Sequence, residues 1–324
     1  MKTAYKGCTI AFILACITFT SCYQEIDLEK YKKDPALVLN SVISNETNVL
    51  VNLSKTWFYS DENTSSVISD ADVKLYINGN FAEQMLWDKN FYRSEITPQE
   101  GDRIRIKAEC SSGKVSAEAV IPAKTEIKNA SVSFLKSNWE GAIFEQNDYQ
   151  VFSRTDVIYQ IEFQDDPKAE NYYLIRIEPE DGNITGGGEN FGSLEFSTDP
   201  IFIGERSVLE GISIEEGLWG QGGRTFFDKS INGQKYTLTI KEKGLNPYNK
   251  VLNRRIILYS LSKEYYQYLT ALQSMYDETL LKNMAEIGLM EPRRIYSNVE
   301  GGIGILGACQ QASYSVSFTL PKWD

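Results

Sequence analysis

The chain is 324 residues long, with 42% hydrophobic residues, 24% charged residues and a formal net charge of −11. It is long enough for one large domain or two of ordinary size, each with a real core. The acidic balance excludes a phosphate-neutralising surface for nucleic acid and charge-driven docking on anionic lipid. In chain order, Lys2 and Lys6 precede an uncharged, apolar or small stretch from Cys8 to Phe19. That run is shorter than the roughly 20 residues a membrane-spanning helix needs and has the length of a secretory h-region.

Phe19-Thr20-Ser21-Cys22 follows and resembles the lipobox of bacterial lipoproteins. The resemblance implies cleavage after residue 21, acylation of Cys22 and anchoring in membrane lipid. Residues 1–21 are then a signal peptide and 22–35 a tether. The acidic run Glu25-Ile26-Asp27-Leu28-Glu29 is similar to the export tag that sends Bacteroides-type lipoproteins to the outer face of the outer membrane. Cleavage discards Cys8 and Cys16, which leaves Cys110 and Cys309; two separate buried thiols are expected, with a disulfide between them in an oxidising compartment as the alternative.

Strand signals begin after Pro35. Residues 37–43 and 48–53 are β-branched and apolar, and 73–77 runs into Asn78-Gly79, a strong hairpin signal. Residues 81–87 and the alternating 102–108 follow, then a turn at 111–114 and a return over 115–121. Short strands at this spacing predict an immunoglobulin-like β-sandwich over 36–122. A second, β-rich domain is expected over 123–324, with strands at 126–134, 156–164, 171–178, 236–240, 255–261 and 312–319. A long irregular stretch runs from 180 to about 223, and 229–235 reads as a further hairpin. One helix is expected near 262–283. Ser262 is its N-cap, Glu264 lies in its first turn, and Tyr265, Tyr268, Leu269, Leu272, Met275, Tyr276 and Leu280 recur at three and four. The fold class is therefore mainly β.

The chain contains no histidine. Ser-His-Asp and Cys-His catalysis lack their base, and histidine-built zinc or iron sites have no ligands. No Walker or dinucleotide fingerprint is present; no cofactor and no metal are expected. Carboxylates remain: Asp165-Asp166, Glu178-Pro179-Glu180-Asp181 and Glu215-Glu216. Two of them about 5 to 10 Å apart would suit glycoside hydrolysis, and solvated loops are the simpler reading in an acidic chain. Trp219, in the long irregular stretch, is the aromatic residue assigned to ligand binding.

The segment Tyr296-Ser297-Asn298-Val299-Glu300-Gly301-Gly302-Ile303-Gly304-Ile305-Leu306-Gly307 reads as a tight turn into a bulged edge strand. It also resembles the signature phrase of a Bacteroidota lipoprotein family known as domain of unknown function 4249. The likeness extends to Phe227–Leu238, to Leu258–Tyr266 and to the Glu25-Ile26-Asp27-Leu28 start. It implies an outer-membrane, surface-facing lipoprotein and no particular reaction. Members are often encoded beside TonB-dependent transporters, so the resemblance implies a non-catalytic accessory to such an importer, with the ligand unknown. A carboxylate-based, glycan-active hydrolase and a structural or adhesion protein of the envelope remain open alternatives.

Overall fold

A computed structural model describes residues 30, 32–58, 61, 66–143, 148–181, 191–203, 223–246, 251–277 and 295–323. The chain divides into a small unit, Met1–Pro35 with Trp57–Thr64, and a large one, Ala36–Thr56 with Ser65–Asp324. In the small unit Lys32 Nζ lies 2.6 Å from Asp61 Oδ1, and Asp61 also accepts the Phe58 N–H at 2.8 Å.

The large unit is mostly β, as the sequence predicts. Its N-terminal strands are β1 (Leu37–Ile43), β2 (Leu50–Lys55), β3 (Asp72–Ile77), β4 (Asn80–Gln84), β5 (Leu86–Asp88), β6 (Phe91–Arg93), β7 (Arg103–Cys110) and β8 (Gly113–Val120). Strict alternation in β7 points Ile104, Ile106 and Ala108 inward and the charged residues between them outward. Asn78 and Gly79 take φ of 53° and 82°, the left-handed pair that a two-residue hairpin requires. The strand expected over 81–87 is split. Met85, buried, donates its N–H to the Val73 carbonyl at 2.8 Å and carries the chain from β4 in one sheet to β5 in another.

The C-terminal elements are β9 (Ile127–Ile143), β10 (Asp148–Gln164), β11 (Tyr172–Pro179), β12 (Ser193–Glu195), α1 (Pro200–Ile203), β13 (Gly223–Phe227), β14 (Lys235–Leu245), β15 (Val251–Leu261), α2 (Lys263–Asp277) and β16 (Ile303–Thr319). Three readings are corrected here. Part of the stretch from 180 to 223 is regular, since it holds β12 and α1. Residues 229–235 form no hairpin, because β13 pairs with β11 while β14 pairs with β10; the turn is a corner between two sheets. The glycine-rich segment leads into a central strand rather than an edge strand.

Among the described residues three sheets result. Their strand orders are β13-β11-β15-β16-β1-β2-β6-β5, β12-β14-β10-β9 and β4-β3-β7-β8. The first sheet belongs to two cores. One core gathers Leu39, Val51, Leu75, Ile106 and Tyr92 against Leu306 and Ala308. The other gathers Tyr159, Phe163, Tyr173, Phe226 and Leu258 against Val316 and Phe318. The expected boundary at Pro122 falls between these cores, but the chain crosses it again: residues 303–308 of β16 pair in parallel with β1, and residues 309–319 pair with β15. The even-numbered face of one strand thus lines both cores.

Polar contacts hold the switch point in β16. Ser262 Oγ accepts the Tyr265 N–H at 3.3 Å, as its expected N-cap role requires, and also the Ala308 N–H at 3.2 Å. The Asn298 side chain accepts the Leu306 N–H at 3.0 Å and donates to the Leu306 carbonyl at 2.9 Å. Two glycines set the approach distances. Gly304 has φ of 120°, and a Cβ there would lie 2.1 Å from the Leu39 carbonyl oxygen. A Cβ on Gly307 would lie 2.7 Å from Cγ of the Tyr265 ring on α2. Cys110 and Cys309 are both free and half-buried. Among the described residues no helix is long and apolar enough to cross a membrane.

Gly304→Ala is expected to cost about 3 kcal/mol or more of unfolding free energy, since steric overlap and an unfavourable φ add. Gly79→Ala, with open space around it, should cost only about 1–2 kcal/mol from its φ alone. Urea denaturation of the two variants checks the difference; equal costs would contradict the close-approach reading.

Candidate functional site

Among the described residues, the carboxylates singled out in the sequence do not converge. Asp165, buried in the turn after β10, accepts the Tyr173 hydroxyl at 2.6 Å and the Gly233 N–H at 2.7 Å. Burial pushes its pKa up, and the two hydrogen bonds partly offset that. Asp166 accepts the Lys168 N–H at 3.0 Å and closes the same turn. Glu178 lies under Arg255, whose Nε donates to it at 2.9 Å, with Arg176 at 3.3 Å. Glu180 accepts the Ser315 hydroxyl at 3.0 Å. The eight residues of β11 separate Asp165-Asp166 from Glu180-Asp181 by roughly 25 Å at the rise of an extended strand. No pair with hydrolase spacing forms between the two groups. Glu180 and Asp181 instead share the rim of a pocket of about 340 Å³, lined also by Pro179, Val251, Leu252, Asn253 and Arg254. Among the described residues no three His, Cys, Asp or Glu side chains gather as metal ligands. Cys22, Trp219, Glu215 and Glu216 lie outside the described residues.

The main buried polar centre was not anticipated. Glu242 is fully buried in β14, and Arg254 of β15 is 2% exposed. Arg254 Nη2 donates to Glu242 Oε1 at 2.8 Å and its Nε to Oε2 at 3.1 Å. Tyr159 donates its hydroxyl to the same carboxylate at 2.5 Å, and Gly192 its N–H at 2.8 Å. Burial first, then the Glu242 charge, pushes the Tyr159 pKa far up. The guanidinium also lies over the Phe191 and Phe318 rings, at 5.1 and 5.9 Å. The signal was present in the sequence: Leu238, Ile240 and Glu242 share one parity, so Glu242 sits in a core register between Lys241 and Lys243. Asp199 plays a parallel part by accepting the Tyr236 hydroxyl and the Ile201 and Thr239 N–H groups. Both carboxylates fasten Phe191–Ile203 onto β14. Their lone pairs are engaged in the fold, which leaves little for proton transfer to a substrate.

The described surface offers a different kind of site. On the outward face of the N-terminal end of the large sheet, Leu86 is 68% exposed, Val42 47%, Ile303 45% and Phe91 43%. The register spreads them over the sheet: Val42 pairs with Gly307, four residues along β1 from the partner of Ile303, and the Asn40–Asn52 pair lies between. Val38 pairs with Ile303, Leu50 with Arg93, Leu86 with Arg93 and Asp88 with Phe91. The exposed ion pair of Arg93 with Asp88, at 3.2 Å, joins the strands that carry Leu86 and Phe91. The exposed apolar side chains on this face thus stand among polar ones, Asn40, Asn52, Asp88 and Arg93.

Fold and surface together define a β-sandwich scaffold with exposed apolar side chains on an outward face. The chain belongs to the family described as a domain of unknown function (DUF4249), whose model matches residues 23–315. Among solved structures it is similar to one named as a membrane anchored protein from Corynebacterium diphtheriae, at 13% identity and a TM-score of 0.20, over 71% of this chain. The matched region spans 55% of that protein's length. It is also similar to the collagen binding domain of the surface protein RspB from Erysipelothrix rhusiopathiae, at 9% identity and a TM-score of 0.19, over 86% of this chain and 96% of that one. No curated protein matches the chain.

Two measurements check the roles given to the buried carboxylates. Glu242→Ala strands a buried guanidinium and should cost about 3–5 kcal/mol of stability, whereas the paired Glu242→Leu, Arg254→Met change should cost far less; urea denaturation separates the two. For Asp165 the folded-state pKa lies above the unfolded one, so the ionised form weakens folding. The stability of wild type relative to Asp165→Asn should therefore rise as pH falls from neutral toward ~4. A melting-temperature difference that is flat over that range would contradict this.

Proposed function

We propose that this protein is a lipid-anchored protein of the outer membrane, facing the cell exterior, that serves as a non-catalytic binding accessory to a TonB-dependent nutrient transporter. The observation that carries the binding role is the exposure of Leu86 and Phe91 on the outward face of the large sheet. The engagement of Asp165, Glu178 and Glu242 in structural bonds supports a role other than acid–base catalysis. The apolar run ending in Ser21-Cys22 supports the anchor, and the acidic residues Glu25, Asp27 and Glu29 support export to the surface. The transporter enters through the family resemblance. Acyl chains on Cys22 would add about 0.8 kcal/mol of membrane affinity per buried methylene. Sharing a membrane raises the effective concentration of the two partners, so a modest apolar interface suffices.

Cys22→Ala should move the protein from the membrane to the soluble fraction and abolish fatty-acid labelling. Protease applied to intact cells should remove the wild-type body, whereas survival until lysis would place it in the periplasm. Photo-crosslinking from position 86 should recover a TonB-dependent transporter, and Leu86→Arg should lower its recovery about tenfold. Recovery unchanged by Leu86→Arg would remove this face from the interface.

A further inference from the structure

The last residues of the tether form a clasp with the turn that follows β2. Ala36 and Thr56 exchange two bonds, the Thr56 N–H to the Ala36 carbonyl at 2.9 Å and the Ala36 N–H to the Thr56 hydroxyl, also at 2.9 Å. Pro35 and Trp57, their neighbours in the chain, are thereby brought side by side. Farther out, Lys32 lies 2.6 Å from the Asp61 carboxylate and 5.7 Å from the centre of the Phe58 ring. Asp61 also closes the turn on itself. It accepts the Phe58 N–H at 2.8 Å and donates its own N–H to the Phe58 carbonyl at 2.9 Å. Residues 32–36 thus run antiparallel to 56–61.

The clasp carries Trp57, which is 52% exposed and belongs to neither core. An indole combines an apolar body with one polar N–H, a combination that suits the boundary between lipid and water. Chain length brings the two together. Ten residues separate Lys32 from Cys22, a span of at most about 35 Å at full extension, so the clasp stays within that distance of the anchoring residue. Charge does not draw it closer, since Glu25, Asp27 and Glu29 stand between anchor and clasp in the chain.

We infer that Trp57 lies in the interfacial region of the lipid that holds Cys22, so that the protein is docked on its membrane by this indole as well as by acyl chains. The inference rests on the reading of Cys22 as a lipid anchor. Lys32 and Asp61 are positioning residues: they hold the turn against the tether and so keep Trp57 close to the surface. Contact of this kind is aromatic rather than ionic, so added salt leaves it in place.

The acylated, full-length protein in phosphatidylcholine vesicles brominated near the headgroups tests this, because bromine quenches an indole that it touches. The brominated lipid should quench the tryptophan emission, at low and at high salt alike. Trp57→Phe should abolish most of that quenching. Trp87→Phe should abolish none, since Trp87 packs against the core that contains Leu39. Asp61→Ala should reduce the quenching while the melting temperature stays unchanged, as Asp61 lies outside both cores. A protein that is acylated and vesicle-bound yet unquenched would overturn the inference and leave the anchor standing. Quenching that survives Trp57→Phe, or that is indifferent to Asp61→Ala, would overturn it too. A protein that carries no acyl chain and stays in solution would overturn both the inference and the anchor.

Discussion

The close passage of β16 between β1 and α2 is the constraint on which the rest of this structure depends. One strand face lines both cores, so neither sandwich is complete without it. The passage is possible because the chain carries no side chain at Gly304, against the Leu39 carbonyl, or at Gly307, against the Tyr265 ring. Ser262 and Asn298 then bond the backbone of the same few residues. A steric fit and a set of polar contacts thus coincide where β16 changes partners from β1 to β15. Both cores contain buried Leu, Ile and Tyr side chains, and the second adds Phe; burial of each large apolar side chain is worth about 1.5–3 kcal/mol. The glycines add nothing to that sum directly; they let the two sums be shared.

Much of the architecture was legible in the sequence, because strand alternation and turn chemistry are local. β1, β7 and β8, the Asn78-Gly79 hairpin and the Ser262 cap all follow from patterns within about ten residues. What the sequence left open was long-range. The parallel pairing of β1 with β16 joins residues some 265 positions apart, and no periodicity encodes that. The glycine-rich segment looked like an edge strand because glycine weakens isolated strands. Here it admits neighbours on both sides. Residues 229–235 carried a hairpin composition, but a corner between sheets needs the same positive-φ glycine, Gly233 at 70°.

The candidate site followed the same division. Carboxylates were visible as residues, but their partners were not. Asp165 and Glu178 found a tyrosine and arginines across the fold, and Glu242 falls two residues beyond the strand expected over 236–240. Core parity would have exposed it. The outward face depends on four strands whose pairing is set by β16 and β1, so it too was out of reach of local reading. Among the described residues, buried charges fasten one crossing segment onto β14, and exposed apolar side chains stand among polar ones on the outward face of the large sheet.

Amide hydrogen exchange along β16 is the most direct test of the shared strand. If β16 unites the two cores, residues 303–308, residues 309–319 and β1 should exchange through one global opening, with the same free energy and the same dependence on denaturant. Separate openings, with 303–308 exchanging alongside β7 and β8 while 309–319 stays protected, would show two independently stable domains and contradict the account.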